Sequence, residues 1–227
     1  LRRWFADELR RAKLDAMKEL AYGASHEINN PLANIALRAQ TLLKREDDPD
    51  KRKALEAMHR AAMRAHEMIS DLMLFARPPR LVKAPVDVGR VVQEVAAELA
   101  PRAQSSETRL LVADAPSPVI ADADAGQLAV AVRAVVENSL DALGQGGEVS
   151  MAVAQRSAEA VVRVVDNGPG VPAEVLPHVF DPFFSGREAG RGLGFGLSKC
   201  WRIVTDHGGA VRLDSEPGQG VTVTITL

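Results

Sequence analysis

Apolar residues in the N-terminal third of the chain recur with the spacing of packed helices. Two series advance in steps of three, four or seven residues, which is typical of helices in bundles. The first series is Leu14, Met17, Ala21, Ala24, Ile28, Ile35 and Leu42, and the second is Leu55, Met58, Ala62, Ala65, Ile69, Leu72 and Ala76. A polar turn that contains Pro49 as a helix breaker separates the two series. The pattern predicts an antiparallel helical hairpin.

A hairpin with two apolar series leaves apolar surface uncovered. Pairing two hairpins into a four-helix bundle would bury that surface, so we expect a homodimer. The run Arg77-Pro78-Pro79-Arg80 ends the second helix and is typical of a short, stiff linker. We therefore expect one domain over residues 1–79 and another over residues 80–227.

The second domain alternates helical and strand-like patterns. Helices are expected at Val88–Leu99, Asp124–Leu143 and about Gly196–His207. Strands are expected at Arg109–Val112, Pro118–Ala121, Val149–Ala154, Ala160–Val165, Val211–Leu213 and Val221–Leu227. This order predicts an α/β sandwich with helices on one face of a sheet. The whole chain is expected to be of the α+β class.

Composition narrows the possible functions. The 28 basic and 30 acidic residues leave a formal charge of -2, which argues against a nucleic-acid-binding protein. No apolar run approaches the roughly 20 residues of a membrane helix, so we expect that this chain does not span a membrane. Its single cysteine, Cys200, excludes an internal disulfide. We expect a cytoplasmic fragment of a longer protein, whose preceding segment could hold a membrane anchor.

The segment around His26 carries candidate chemistry. His26 lies two positions from both Ala24 and Ile28, and at about 100° per residue this spacing directs its ring away from the apolar series. Asn30, four residues on, shares the face of His26. Glu27 could accept a hydrogen bond from one ring nitrogen and leave the other as a nucleophile. An ordinary solvated histidine is the alternative.

Three further segments offer parts of a nucleotide site. Glu137 and Asp141 form a like-charged pair that a cation or an ordered water would relieve, and Asn138 beside them could bind Mg²⁺ through its amide oxygen. Asp166, in the run DNGPG, could accept a hydrogen bond from an exocyclic amine. A glycine-rich run that leads into a helix suits a polyphosphate. Taken singly, these segments could equally be a solvated helix face, a turn and a mobile linker.

The segment HEINNPL, residues 26–32, resembles the H-box of bacterial sensor histidine kinases of two-component systems. The resemblance implies that His26 is the phosphoacceptor and that Glu27 is its base or orienting partner. It implies that Asn30 positions water for dephosphorylation of the partner protein. His59 and His66 lie beside the second apolar series, where we expect surface positions rather than ligands.

The second domain resembles the ATP-binding domain of the same kinases, the Bergerat fold of gyrase-type ATPases. The boxes occur in the family's order: AVRAVVENSLDAL, DNGPG, FDPFFS and GLGFGLS. The resemblance implies that Asn138 binds Mg²⁺, that Asp166 binds the adenine amine, and that Gly168 and Gly170 shape the base pocket. It implies a lid anchored by Phe180 and Phe183 and a phosphate contact from Arg187. Gly192, Gly194 and Gly196 would cradle the phosphates, and Leu197 and Asp141 complete the expected nucleotide-binding set.

Two residues depart from the family pattern. Many members carry an Asn four residues before the metal-binding Asn and a basic residue three after it, whereas this chain has Ala134 and Asp141. Both departures concern metal and phosphate contacts.

The resemblance implies transfer of the γ-phosphoryl group of Mg-ATP to His26 and then to an aspartate of a response regulator receiver domain. The alternatives are a gyrase-type ATPase, a serine kinase of the anti-sigma type and a catalytically dead dimeric scaffold. The helical hairpin argues against the first two, and the intact glycine boxes argue against the third.

Overall fold

The computed structural model describes residues 27–76, 79–115, 117–182, 184 and 194–227. The chain divides into two compact units, Leu1–Pro79 and Arg80–Leu227.

The first unit contains the helical hairpin. Residues 27–43 belong to helix α1, and helix α2 runs over Pro49–Ala76. Pro49 is the first residue of α2, because its missing N–H costs nothing in a first turn. The Oδ1 atom of Asp48 caps that turn by accepting from the amides of Asp50 at 2.9 Å and Lys51 at 3.3 Å. The predicted breaker is therefore a helix start.

The surface of α1 that packs within the hairpin differs from the predicted one. Ala36 and Ala39 of α1 are buried, as is Ala62 of α2. The described members of the first predicted series are exposed in one hairpin: Ile28 by 43%, Ile35 by 49% and Leu42 by 56%. In the second series Met58 is 56% exposed, whereas Ala62 is buried. Within one hairpin, α1 therefore turns its small residues toward α2. A continuous apolar surface remains outside the hairpin.

The second unit is built on a mixed sheet. Its strands are β1 (Ala84–Asp87), β2 (Arg109–Val112), β3 (Ile120–Ala123), β4 (Glu148–Arg156), β5 (Glu159–Asp166), β6 (Ala210–Ser215) and β7 (Val221–Thr226). Its helices are α3 (Val88–Ser105), α4 (Ala125–Leu143) and α5 (Gly196–Asp206). In the described part, one sheet has the order β2-β4-β5-β7-β6, and β1 pairs with β3 separately. The β2–β4 pair is parallel and the other pairs are antiparallel.

The core lies between the five-stranded sheet and one layer of helices. Every second residue of the central strands is buried, for example Met151, Val164 and Val223, which are direct neighbours across three strands. Helices α3, α4 and α5 contact this sheet. Successive side chains of a strand point to opposite faces of the sheet, and only one of the two sets is buried, so the helices cover one face. The predicted α+β class is confirmed.

Local signals explain most element boundaries. Asp87 caps α3 by accepting from the amide of Gly89 at 3.0 Å, and Asp124 caps α4 by accepting from the amide of Gln127 at 3.0 Å. Helix α3 continues to Ser105, past the predicted end at Leu99, although it contains Pro101. Ala103 beyond the proline is buried, so packing against the core holds the last turn.

Candidate functional site

The predicted phosphoacceptor segment lies at the edge of the described chain. Glu27 and Asn30 are both exposed on α1, and His26 lies outside the described residues. The backbone carbonyl of Asn30 accepts a 3.1 Å hydrogen bond from the side chain of Asn34. The face of α1 that carries Glu27 and Asn30 is therefore open in a single hairpin.

Two histidines link the helices of the hairpin. The Nδ1 atom of His66 lies 3.1 Å from Oδ1 of Asn29, and Nδ1 of His59 lies 3.1 Å from the carbonyl oxygen of Ala36. Since a carbonyl oxygen only accepts, Nδ1 of His59 carries a proton. The expected surface positions are wrong, because both rings are partly buried against α1. His59 and His66 are seven residues apart, with Ala62 between them, so they lie on the same face of α2. This spacing could have identified, from the sequence, the face of α2 that contacts α1.

Asp166 ends strand β5 and is the most constrained acidic residue of the second unit. Its side chain is 3% exposed. Oδ1 accepts hydrogen bonds from the amides of Gly168 at 3.0 Å and Val221 at 3.2 Å, and Oδ2 accepts one from the hydroxyl of Ser139 at 2.7 Å. Each carboxylate oxygen can accept about two hydrogen bonds, so Oδ2 can accept a further one from a ligand donor.

Glycines are required where the loop after Asp166 meets the turn between β6 and β7. Gly170 has φ of 72°, and a Cβ there would collide with the carbonyl oxygen of Glu216. A Cβ on Gly220 would collide with the backbone of Asp166. The amide of Gly218 donates to the carbonyl of Pro169 at 2.7 Å. The two loops therefore brace each other around the Asp166 carboxylate. A Cβ on Gly168, the remaining glycine of this predicted pocket, would lie 2.9 Å from Oδ1 of Asp166.

Sequence reasoning did not find the residues that position this loop. Ser139 was not identified as a site residue, because it lies among apolar residues on the buried face of α4. Ser215 accepts from the amide of Val171 at 2.9 Å and donates to the carbonyl of Gly220 at 2.6 Å. Ser139 could have been identified from the sequence, because its hydroxyl directly follows Asn138. No neighbouring residue in the sequence indicates a role for Ser215.

The like-charged pair on α4 is bridged by an arginine of α3. Arg102 places NH2 2.5 Å from Oδ1 of Asp141 and NH1 3.6 Å from Oε1 of Glu137. The sequence predicted a cation or an ordered water between the two carboxylates, and the structure places the guanidinium cation of Arg102 there. Burial raises the pKa of Glu137, and the positive charges of Arg102 and Lys199 oppose that shift. Asn138, between the two acids in sequence, is half-buried.

The start of α5 approaches α4 near this cluster. Gly196 is the first residue of α5, and a Cβ there would lie 3.7 Å from the carbonyl oxygen of Ala134. Ala134, the first departure from the family pattern, is buried. Gly194 has φ of 70°, and Leu197 is half-buried. The structure thus brings the described part of the glycine-rich run beside α4.

The predicted lid is described only in part. Phe180 is half-buried and follows the short helical turn Leu176–His178. Phe183, Arg187 and Gly192 lie outside the described residues. Nδ1 of His178 lies 2.9 Å from Oδ2 of Asp181, and its ring packs near Phe184 with the ring centroids 5.8 Å apart.

His207 connects three segments at the far end of α5. Its Nδ1 lies 2.8 Å from the carbonyl oxygen of Ile203, and its Nε2 accepts from the amide of Asp124 at 3.0 Å. One nitrogen must donate and the other accept, which requires the neutral ring. The expected cation at this helix end is therefore not His207. Nζ of Lys83 supplies it, 2.7 Å from the His207 carbonyl oxygen.

Two family models match the chain. The family described as histidine kinase-, DNA gyrase B-, and HSP90-like ATPase matches residues 123–227. The His Kinase A (phospho-acceptor) domain matches residues 16–80.

Similar curated proteins are kinases. The sensor histidine kinase ZraS of Escherichia coli (strain K12) is 31% identical over 100% of this chain and 49% of its own length. Sporulation kinase C of Bacillus subtilis (strain 168) is 29% identical over 95% of this chain and 50% of its own length. The chain therefore spans about half the length of the curated relatives it matches.

Solved structures of similar shape are also histidine kinases. Full-length ShkA in complex with AMPPNP has a TM-score of 0.78 at 25% identity, over 92% of this chain and 45% of ShkA. Histidine kinase ThkA in complex with the response regulator protein TrrA has a TM-score of 0.70 at 21% identity, over 100% of this chain and 66% of ThkA, and supports the fold alone.

Among the helices that the structure describes, none has the length and apolar character needed to cross a bilayer. The helical hairpin, the ATPase-type second unit and the two matched family models all indicate the same class of protein. The chain belongs to the sensor histidine kinases of two-component systems.

Proposed function

We propose that this chain binds Mg-ATP in its second unit, phosphorylates His26, and passes the phosphoryl group to an aspartate of a response regulator. The observation that carries the proposal is the buried carboxylate of Asp166, which three donors orient and which keeps acceptor capacity on Oδ2. An adenine amine is the donor that fits this position. A guanine would present a carbonyl oxygen there and be repelled.

The residues around Asp166 fit the rest of a nucleotide. Gly168 and Gly170 would shape the base pocket by letting the loop after Asp166 pack closely against its carboxylate and against the backbone of Glu216. The N-terminus of α5, with Gly194, Gly196 and Leu197, presents unpaired amides to phosphates. Phe180, Phe183, Arg187 and Gly192 are assigned to the lid and its phosphate contacts through the family resemblance.

Asn138 fits a magnesium ion that is held mainly by nucleotide phosphates. Such an ion keeps several waters and takes one or two oxygen ligands from the protein. Among the described residues, no group of three His, Cys, Asp or Glu side chains forms a metal site. When bound, the ion neutralises phosphate charge during transfer. Asn138 would hold it through the amide oxygen.

The nucleophile is the imidazole of His26. The bond from a ring nitrogen to the γ-phosphorus forms while the bond from that phosphorus to the bridging oxygen of ADP breaks. Glu27 accepts or orients the proton on the other ring nitrogen. Asn30, exposed one turn further along α1, is placed to orient a water for the reverse, dephosphorylating reaction. Positioning supplies most of the rate enhancement.

A homodimer accounts for the apolar surface of the hairpin. Ile28, Ile35 and Leu42 repeat at intervals of seven and stay exposed in one hairpin. A second hairpin of the same sequence presents the same stripe, and a four-helix bundle would cover both. We place this part of the chain in the cytoplasm, where ATP is available.

The response regulator is proposed as partner from family membership and from the fold shared with a kinase solved with a response regulator protein. A gyrase-type ATPase and a dead scaffold are the alternatives. An ATPase would turn over ATP without a phosphoenzyme, and a scaffold would bind no nucleotide.

Incubation of the dimeric chain with ATP labelled in the γ-phosphate tests the proposal. The expected product is an acid-labile, alkali-stable phosphoprotein whose label maps to the peptide that contains His26. His26→Gln should abolish labelling, whereas the matched variant His59→Gln, which keeps a donor toward Ala36, should retain it. Normal labelling of His26→Gln would refute the assignment of His26.

A further inference from the structure

We propose that Arg102 is a positioning residue of the nucleotide site: its guanidinium offsets part of the negative charge of Glu137 and Asp141 beside Asn138, so that a triphosphate can bind there. This inference rests on the proposed function, since it assumes that ATP occupies the face of α4 that carries Asn138. It assigns a role to a residue of α3, a helix to which the family boxes assign none.

The first support is geometric. The guanidinium of Arg102 reaches across from α3 to both carboxylates, at 2.5 Å from Asp141 and 3.6 Å from Glu137. The three side chains are 38–44% exposed, so the cluster borders solvent rather than lying in the core. On an α-helix, Glu137 and Asp141 lie about 100° and 60° from Asn138. The pair bound by Arg102 therefore lies on one side of the proposed magnesium ligand.

The second support is the charge balance around Glu137. Arg102, Lys199 and Arg133 act on it with positive charge and Asp141 with negative charge. Arg133 forms an ion pair with Glu98, in which Nη2 of the arginine lies 2.6 Å from Oε2 of the glutamate. Arg102 is the cation in direct contact with both acids of α4. Removing it would leave two carboxylates beside Asn138 with reduced compensation.

The third support is the acid at position 141. Its carboxylate is bound to the guanidinium of Arg102. A triphosphate carries several negative charges and is repelled by uncompensated carboxylates. Arg102 thus places, from a neighbouring helix, a positive charge beside this acid.

The experiment compares binding of ATP and adenosine by Arg102→Gln and by the unmodified chain. Loss of one partly exposed charge should weaken ATP binding about fivefold, and less at high salt, while adenosine binding changes less than about twofold. A purely structural role would weaken both ligands alike. Arg102→Lys keeps the charge and should bind ATP nearly as the unmodified chain does.

Two further variants sharpen the test. Arg102→Gln combined with Glu137→Gln removes one of the two repelling charges, so ATP affinity should recover in part. Arg90→Gln removes an arginine paired with Glu94 at 3.0 Å on the same helix, about 18 Å away along its axis, and should have no effect. Thermal unfolding of each variant reports folding separately.

Unchanged ATP binding in Arg102→Gln, equal losses for ATP and adenosine, or failure of the double variant to recover any affinity would each overturn the role of Arg102. Failure of the unmodified chain to bind ATP would instead refute the proposed function, and the inference with it. The two failures are therefore distinguishable.

Discussion

The hydroxyl of Ser139 donates a 2.7 Å hydrogen bond to Oδ2 of Asp166, and both side chains are 3% exposed. The bond joins helix α4 to the end of strand β5. Ser139 directly follows Asn138, so one short stretch of α4 carries the proposed metal ligand and orients the proposed adenine ligand. A rotation of α4 would move both together.

Replacing Ser139 by Ala should weaken ATP binding. The change removes a hydrogen bond to a buried charged group, which is worth about 1.5–3 kcal/mol, and lets the carboxylate of Asp166 turn away from the base. We expect a rise in the ATP dissociation constant of roughly tenfold, measured by calorimetry. Ser106→Ala is the matched control, because Ser106 bonds backbone carbonyls at the end of α3. Equal affinities for the Ser139→Ala variant and the unmodified chain would contradict this role.

Replacing Asp166 by Asn should nearly abolish ATP binding. The amide offers one acceptor oxygen where the carboxylate offers two, so either the adenine amine or a donor of the protein loses its partner. We expect a loss of about a hundredfold in affinity, since a buried donor left unpaired costs about 1–3 kcal/mol and the charge is lost as well. Nucleotide titration measures it. Retained affinity together with lost autophosphorylation would show that Asp166 does not bind adenine.

Cys200 should be inert in the folded protein. Burial raises the pKa of its thiol to about 12, so at pH 8 only about one molecule in ten thousand carries the reactive thiolate. A chromogenic disulfide reagent should label no thiol in the folded chain and one thiol per chain after denaturation, because Cys200 is the single cysteine. Labelling of the folded chain at the rate of a free thiol would be inconsistent with the core described.

Asp124 should make stability depend on pH. Hydrogen bonds from the amides of Gln127 and Val82 lower the pKa of its carboxyl below the usual value. The stabilisation is therefore complete above the unfolded-state pKa of about 3.9 and is lost as the pH falls through the lower folded-state pKa. Asp124→Asn keeps an acceptor for the amide of Gln127 but loses the one for the amide of Val82, so it should cost about 1 kcal/mol in free energy of unfolding at pH 7.

The difference between Asp124→Asn and the unmodified chain should shrink as the pH falls below 4, as measured by urea unfolding at a series of pH values. Asp122→Asn, at an exposed position of β3, serves as the control and should change little. A difference that stays constant down to the lowest pH at which both fold would argue against ionisation as its cause.

A charge placed on the exposed apolar stripe of the hairpin should prevent dimerisation. Ile35→Glu would bury an unpaired carboxylate in the proposed bundle, a cost of several kcal/mol. Sedimentation velocity should then report a monomer. Leu37→Glu is the control, since Leu37 is also exposed but lies about 200° around the helix from Ile35. Dimers of the Ile35→Glu variant would exclude this stripe as the interface.

The helices and strands of the second unit could largely be predicted from the sequence, because their apolar periods match their burial in the core. The continuation of α3 past Pro101 could not, since it depends on the packing of Ala103. Strand β1 was also missed. It is a four-residue strand whose hydrogen-bonded partner, β3, lies some thirty residues on.

The boxes located Asp166 and Asn138 because each is a local motif. Ser139 and Arg102 were not identified, since their roles depend on contacts with residues 27 and 39 positions away. The neutral ring of His207 was not identifiable either, because its two hydrogen-bond partners fix it. Contacts of this range are set by the tertiary fold.

The amide of Val221 completes the donor set of Asp166, although 55 residues separate the two in sequence. A ribosome makes the chain from its N-terminus, so the carboxylate exists well before the strand that finishes its surroundings. A nascent chain that lacks β7 would therefore bind ATP weakly. Nucleotide binding becomes effective only when β7 has joined the sheet, so incompletely synthesised chains do not bind ATP.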